Sequence, residues 1–229
     1  MTTITNRLQV VRERLTNACT RAGRSAHSVT VLAVSKTQPA EAVRTAHAAG
    51  QRAFGENYVQ EGLAKIQALA DLRSSLEWHL IGPLQSNKTR AVAEAFDWVH
   101  SIERLKIAQR LSEQRPAWAP PLQVCLQVNI SGEDSKSGVA PVDVAELARA
   151  VAALPRLRLR GLMAIPEPAG CEADQRIPHR ALRELLESLQ QQGLELDTLS
   201  MGMSADLEAA VIEGATLVRV GTAIFGGRS

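Results

Sequence analysis

The stretch VTVLAVSKTQPAEAVRTAHAAG, residues 29–50, carries the pattern that decides the fold. Its opening run, Val29 to Val34, is apolar, β-rich and short, as a buried strand is. Pro39 suits the first turn of a helix, where a missing N–H costs nothing. The helical residues that follow stop at Gly50, a residue fit for a left-handed cap. The same strand-then-helix unit recurs along the chain. Strands are predicted over Arg52–Asn57, Glu77–Gly82, Asp97–Ile102, Leu122–Asn129, Leu159–Ile165, Thr198–Gly202 and Thr216–Gly221. Helical periodicity fills residues 86–96, 141–154 and 179–193, the last stopping at Gly193. The segment Ala169–Ile177 is polar and reads as a loop. Ahead of the first strand, Thr5–Arg21 predicts an additional helix with Leu8, Val11, Leu15 and Ala18 on one face. The strands are nearly continuous apolar runs, which suits a parallel sheet covered by helices. About eight such units predict a (β/α)8 TIM-type barrel with an extra N-terminal helix, a single domain over residues 1–229. A doubly wound open sheet is the rival, and the strand count favours the barrel.

Composition excludes several function classes. Lys+Arg number 26 against 24 Asp+Glu, a net charge of +2, so no charge excess drives nucleic-acid binding. Aromatic residues make up 3%, too few for base-stacking platforms. No run approaches the ~18 apolar residues of a membrane span, and the amphipathic amino terminus lacks a signal-peptide core. Cys19, Cys125 and Cys171 are far apart, with no metal-ligand spacing, and Cys125 reads as a small core residue. A reduced, cytoplasmic protein is expected. His27, His47, His100 and His179 are scattered without paired spacing or an evident acidic partner, and no metal site is predicted.

In such a barrel, chemistry gathers at the carboxyl ends of the strands. Lys36 stands just past the first strand. An amine between apolar residues there would be desolvated, which disfavours the ammonium form and leaves a nucleophile suited to an aldehyde. A rim lysine that reaches solvent is the alternative on position alone. After the seventh strand, Ser200, Gly202 and Ser204 lead into a helix, and after the eighth come Gly221 and Thr222. These loops are a recurrent phosphate site in such barrels, although Ser204 and Asp206 also suit a plain helix cap. Arg219 lies in an otherwise apolar strand, so it requires either an interior partner or a ligand.

Taken together, AVSKTQP, FGENYVQE, WHLIGPLQSNK, VNISGEDSKSG, GLMAIPEP, LSMGMSADLEAAV and VRVGTAIFGGR resemble the pyridoxal phosphate homeostasis protein family, whose barrel is similar to the amino-terminal domain of alanine racemases. The resemblance runs from the first strand to the last residue. It implies a fold-type III barrel that binds pyridoxal 5′-phosphate (PLP) as a Schiff base on Lys36. Ser200, Gly221 and Thr222 are implied to hold the phosphate, and Arg219 to face the pyridine nitrogen. Asn57, His79 and Met201 are implied to line the same mouth. Lys136, in the Gly- and Ser-rich loop after the fifth strand, reads as a solvated lysine that could meet the aldehyde or the phosphate.

Arginine keeps its proton, so a pyridine nitrogen facing Arg219 stays unprotonated and the cofactor becomes a weak electron sink. Racemisation needs a second acid–base group on the opposite face. Racemases resembling this barrel take that group from a further β-domain, whereas this sequence stops at Ser229 and its single tyrosine, Tyr58, has no reason to serve. The expectation is a carrier or buffer in vitamin B6 homeostasis, not an enzyme. It would be a monomer that passes PLP to PLP-dependent apoenzymes. The alternative is a racemase-type enzyme on an unidentified amino acid.

Overall fold

Strand parity and helix periodicity together build the architecture. The structure is a computed structural model that describes residues 3–132 and 137–227. Eight parallel strands close into one barrel in sequence order: β1 Thr30–Val34, β2 Ala53–Glu56, β3 Glu77–Leu80, β4 Trp98–Ile102, β5 Leu122–Gln127, β6 Leu157–Met163, β7 Thr198–Ser200 and β8 Leu217–Val220. The register of β1 against β8, with Thr30 opposite Leu217 and Ala33 opposite Val220, closes the sheet and removes the open-sheet alternative.

The helices are α1 Ile4–Arg21, α2 Ala40–Ala48, α3 Val59–Ala68, α4 Thr89–Ala95, α5 Leu105–Gln114, α6 Val144–Ala152, α7 Glu172–Gln191, α8 Leu207–Ile212 and α9 Thr222–Phe225. Helix α1 is the extra amino-terminal helix. Thr3 caps it by accepting from Asn6 N–H, and it buries the predicted face of Leu8, Val11, Leu15 and Ala18. Gly50 and Gly193 take positive φ, 87° and 90°, where α2 and α7 end. One expected loop is helical instead. Helix α7 begins at Glu172 and runs through Pro178, so the polar residues 172–177 are its first turns. Their polarity reflects exposure, and polarity alone does not separate an exposed helix from a loop.

Alternation along each strand sorts the core into two layers. Ala33, Phe54, Leu80 and Val218 join the large cluster between sheet and helices. Their neighbours Leu32, Ala53, Ile81 and Leu217 form a smaller apolar cluster with Val34 inside the barrel. Trp98, Cys125 and Met163 form another. Between these two interior clusters runs a seam of buried polar groups: His79, His100, Ser200 and Arg219. No described helix is long and apolar enough to cross a membrane.

Candidate functional site

At the carboxyl end of the barrel lies a cavity of about 430 Å³. Lys36, Asn57, Arg219, Gly221 and Thr222 line it, together with Val34, Ile81, Ile165 and the turn Met203–Ala205. A smaller cavity of about 250 Å³ adjoins it and shares Asn57, Ile81 and Ile165. Five of the eight residues singled out from sequence therefore meet on one surface.

The other three do not, and strand parity is the reason. Ser200, the last residue of β7, points its hydroxyl into the barrel interior, where it meets His100 and Arg219. Met201 turns the opposite way and is fully buried in the sheet–helix layer. Met203, Ser204 and Ala205 supply that wall of the cavity in their place. His79 is fully buried inside the barrel, bonded to Glu77 at the amino end of its own strand and to His100. Lys136 lies outside the described residues.

Lys36 stands exposed at the cavity rim rather than buried among apolar residues. Its backbone is instead held from below. Thr37, the next residue, sits at φ 62°, a strained conformation for a β-branched side chain, and its N–H donates to Glu61. Beneath this turn the Lys65 ammonium donates to Glu56 at 2.8 Å, to Glu61 at 2.7 Å and to the Ser35 carbonyl. Ser35 Oγ donates to the same Glu56 oxygen at 2.6 Å. Burial pushes the Glu56 carboxyl up, against the pull of Lys65 and Ser35.

Asn57 enters the cavity directly from β2. Its backbone passes so close to Gly82 that a Cβ there would lie 2.0 Å from the Asn57 carbonyl oxygen, so this wall requires glycine. The Asn57 Oδ1 atom is buried and has no hydrogen-bond partner. On the far wall, Arg219 is 4% exposed. Its NH1 donates to the Ser200 carbonyl at 2.8 Å and to Ser200 Oγ at 3.0 Å, and its NH2 donates to the Ala164 carbonyl at 2.7 Å. No carboxylate hydrogen-bonds it among the described residues. Burial pushes the guanidinium down to about 10, still cationic at neutral pH.

The Met203–Ala205 turn is fixed from two sides. Asp206 accepts from Met203 N–H at 2.7 Å and pairs with His179 Nε2 at 2.8 Å. Arg14 of α1 donates to the Ser204 carbonyl at 2.7 Å and pairs with Glu208. Burial pushes Asp206 up, but hydrogen bonds from His179 and Met203 N–H outweigh it and leave the carboxyl below its ordinary value. Sequence reading missed this pair, since His179 in α7 and Asp206 just before α8 lie 27 residues apart and no local spacing marks them. It also missed His100, whose position on an interior-facing strand residue was the one available signal. Among the described residues no group of three or more His, Cys, Asp or Glu could hold a metal ion.

Fold and mouth define a (β/α)8 barrel with an amine, a buried cation and a cluster of neutral donors facing one cavity. The family profile described as "Alanine racemase, N-terminal domain" matches residues 7–229. The pyridoxal phosphate homeostasis protein of Pseudomonas aeruginosa is 64% identical over 228 residues, covering 100% of this chain and 97% of that one. The structure of PipY from Synechococcus elongatus with PLP bound is 41% identical, with a TM-score of 0.85 over 97% of this chain and 100% of that one. Alanine racemase from Corynebacterium glutamicum shares the fold at 20% identity and a TM-score of 0.67, over 95% of this chain and 60% of the racemase. The chain belongs to the pyridoxal phosphate homeostasis protein family.

Proposed function

We propose that this barrel binds PLP in the mouth cavity and serves vitamin B6 homeostasis as a carrier or buffer. The observation that carries the reading is the convergence of Lys36, Arg219 and the Gly221–Thr222 turn on one cavity. The residues present fit PLP. Lys36 offers the amine, Asn57 Oδ1 is a buried acceptor awaiting a donor, and Ser204, Gly221 and Thr222 offer neutral donors to an anion. PLP supplies an aldehyde that condenses reversibly with a primary amine, which suits a protected store.

Each residue then has a task of its own. Lys36 presents its amine from a turn held by Glu61 and Lys65. Arg219, fixed by two backbone carbonyls, would face the ring of a bound PLP and keep its proton, because even at about 10 it stays charged near pH 7. Thr222 and Ser204 would offer neutral hydroxyl donors to the phosphate. Among the described residues lining the cavity, no carboxylate, histidine, cysteine or tyrosine supplies a second acid–base group. Tyr58 is 60% exposed and outside that lining. This supports a holder over the racemase alternative.

We read residues 1–229 as one domain acting alone in the cytoplasm, where unpaired thiols such as Cys19, Cys125 and Cys171 are at home, and passing PLP to apoenzymes. The test is borohydride reduction of the PLP-loaded chain followed by peptide mapping. The label is expected on the peptide containing Lys36, and Lys36→Ala should stay folded while losing the yellow chromophore. A label mainly elsewhere overturns the assignment. Exchange of the α-hydrogen of an added amino acid in deuterated water would favour the racemase.

A further inference from the structure

Inside the barrel, below the cavity, a line of hydrogen bonds connects Arg219 to the opposite end of the molecule. Ser200 Oγ is 3.0 Å from Arg219 NH1 and 2.8 Å from His100 Nδ1. His100 Nε2 is 2.9 Å from His79 Nδ1, and His79 Nε2 is 2.7 Å from Glu77 Oε1 at the amino end of β3. Ser200, His79 and His100 are fully buried. The far end is clamped: the His79 ring stacks on Trp98 at 5.2 Å and 10°, and Arg160 covers the Trp98 ring at 4.9 Å.

Proton accounting fixes the direction of this line. Arginine has no acceptor, so Ser200 Oγ accepts from Arg219. Among the described residues the serine hydrogen then has one hydrogen-bonding acceptor, His100 Nδ1. Burial holds His100 neutral, so with Nδ1 accepting from Ser200 its hydrogen sits on Nε2 and is donated to His79 Nδ1. His79 donates from Nε2 to the Glu77 carboxylate. Every hydrogen points from the mouth toward the amino end, and every donor is satisfied.

We propose that His100 and Ser200 are positioning residues for Arg219. His100 takes the serine hydrogen, and the lone pairs of Ser200 Oγ are thereby turned toward the guanidinium. Among the described residues no carboxylate hydrogen-bonds Arg219, and its other two acceptors are backbone carbonyls. Ser200 Oγ is the one acceptor whose hydrogen can rotate, and His100 removes that freedom. The inference rests on the reading that Arg219 faces a bound ligand, but the relay itself is a property of the chain alone.

The test therefore begins without PLP. Long-range proton–nitrogen correlation spectra of protein labelled in histidine are expected to show His100 hydrogenated on Nε2 and bare on Nδ1. A His100 hydrogenated on Nδ1 reverses the line and overturns the proposal, whether or not PLP binds. With PLP, equilibrium dialysis should show His100→Leu and Ser200→Ala each weakening retention about tenfold, as loss of one bond to a charged group does. The double variant should be no weaker than either single variant, because both break one link. His100→Asn, whose amide oxygen can occupy the place of Nδ1, should restore retention. Additive losses, or a folded His100→Leu with wild-type retention, overturn it. Failure of the wild type to bind PLP would sink the functional reading and leave the tautomer result standing. Should His100→Leu not fold, the spectra of the wild type decide alone.

Discussion

Replacing Lys65 by methionine should destabilise the fold in a manner that depends on pH. Lys65 and Glu56 are 5% and 0% exposed, and the ammonium bonds Glu56, Glu61 and the Ser35 carbonyl. Methionine keeps the packing and removes the charge, leaving the Glu56 carboxylate buried with only Ser35 Oγ as a donor. Breaking a buried pair from one side costs about 3–5 kcal/mol. With a urea slope near ~3 kcal/mol/M, that is a drop of about 1–1.7 M in the unfolding midpoint at pH 7. Burial already raises Glu56 above its ordinary 4.5, and losing Lys65 raises it further. A raised carboxyl contributes stability that is complete below its unfolded value and lost as pH rises through the folded value. The deficit should therefore shrink from pH 7 to pH 5, where the variant carries a neutral Glu56. Adding Glu56→Gln should recover most of the loss at pH 7, since removing both partners of a buried pair is far cheaper than removing one. Urea titrations at the two pH values settle the matter. A deficit equal at both, or a double variant no better than the single, would refute the buried-charge reasoning.

Ser204→Ala and Thr222→Ala should each lose PLP on dialysis about tenfold more readily than wild type yet still bind it in excess, while equal retention would place the phosphate elsewhere. Asp206→Asn should cost about 1.5–3 kcal/mol at pH 6, because the ionised form holds His179 and Met203 N–H. The Asp206 carboxyl lies below its ordinary 3.8, so its contribution exists above that value and fades as pH falls through the lowered one. The gap in urea midpoint between wild type and variant should accordingly close toward pH 3, and a constant gap would contradict the assignment. Arg219→Met should strip donors from the Ser200 and Ala164 carbonyls and lower the melting temperature as well as PLP retention, and an unchanged melting temperature would show that Arg219 carries no structural role.

The barrel was legible because each strand is a short apolar run followed by helical spacing, and the closure of β8 on β1 needed only the count. Boundaries shifted where the apolar run outlasts the ladder. Val128 continues the β5 pattern yet forms only an isolated bridge with Val139. That Lys36, Asn57, Arg219, Gly221 and Thr222 share one cavity was legible because each lies at or just beyond a strand's carboxyl end, where the mouth must be. Ser200 and Met201 do not line that cavity, because adjacent residues on a strand face opposite ways and the chain reaches it only at Met203. His79, near the end of β3, points into the barrel interior below it.

The closing contact of the barrel also has a consequence for how the protein is made. Thr30 pairs with Leu217, so on a ribosome β1 must wait until Leu217 has been made. At 5–20 residues per second that interval is roughly 10–40 s. Throughout it the free edge of β1 is a template for any passing strand. Helix α1 waits too, since Arg14 finds Glu208 and Ser204 only at the end. The residues from Ser204 to Thr222 thus complete the sheet, seat the first helix and finish the Gly221–Thr222 wall in one event. A nascent chain has no partial capacity to sequester a reactive aldehyde, and the ability arrives only with closure.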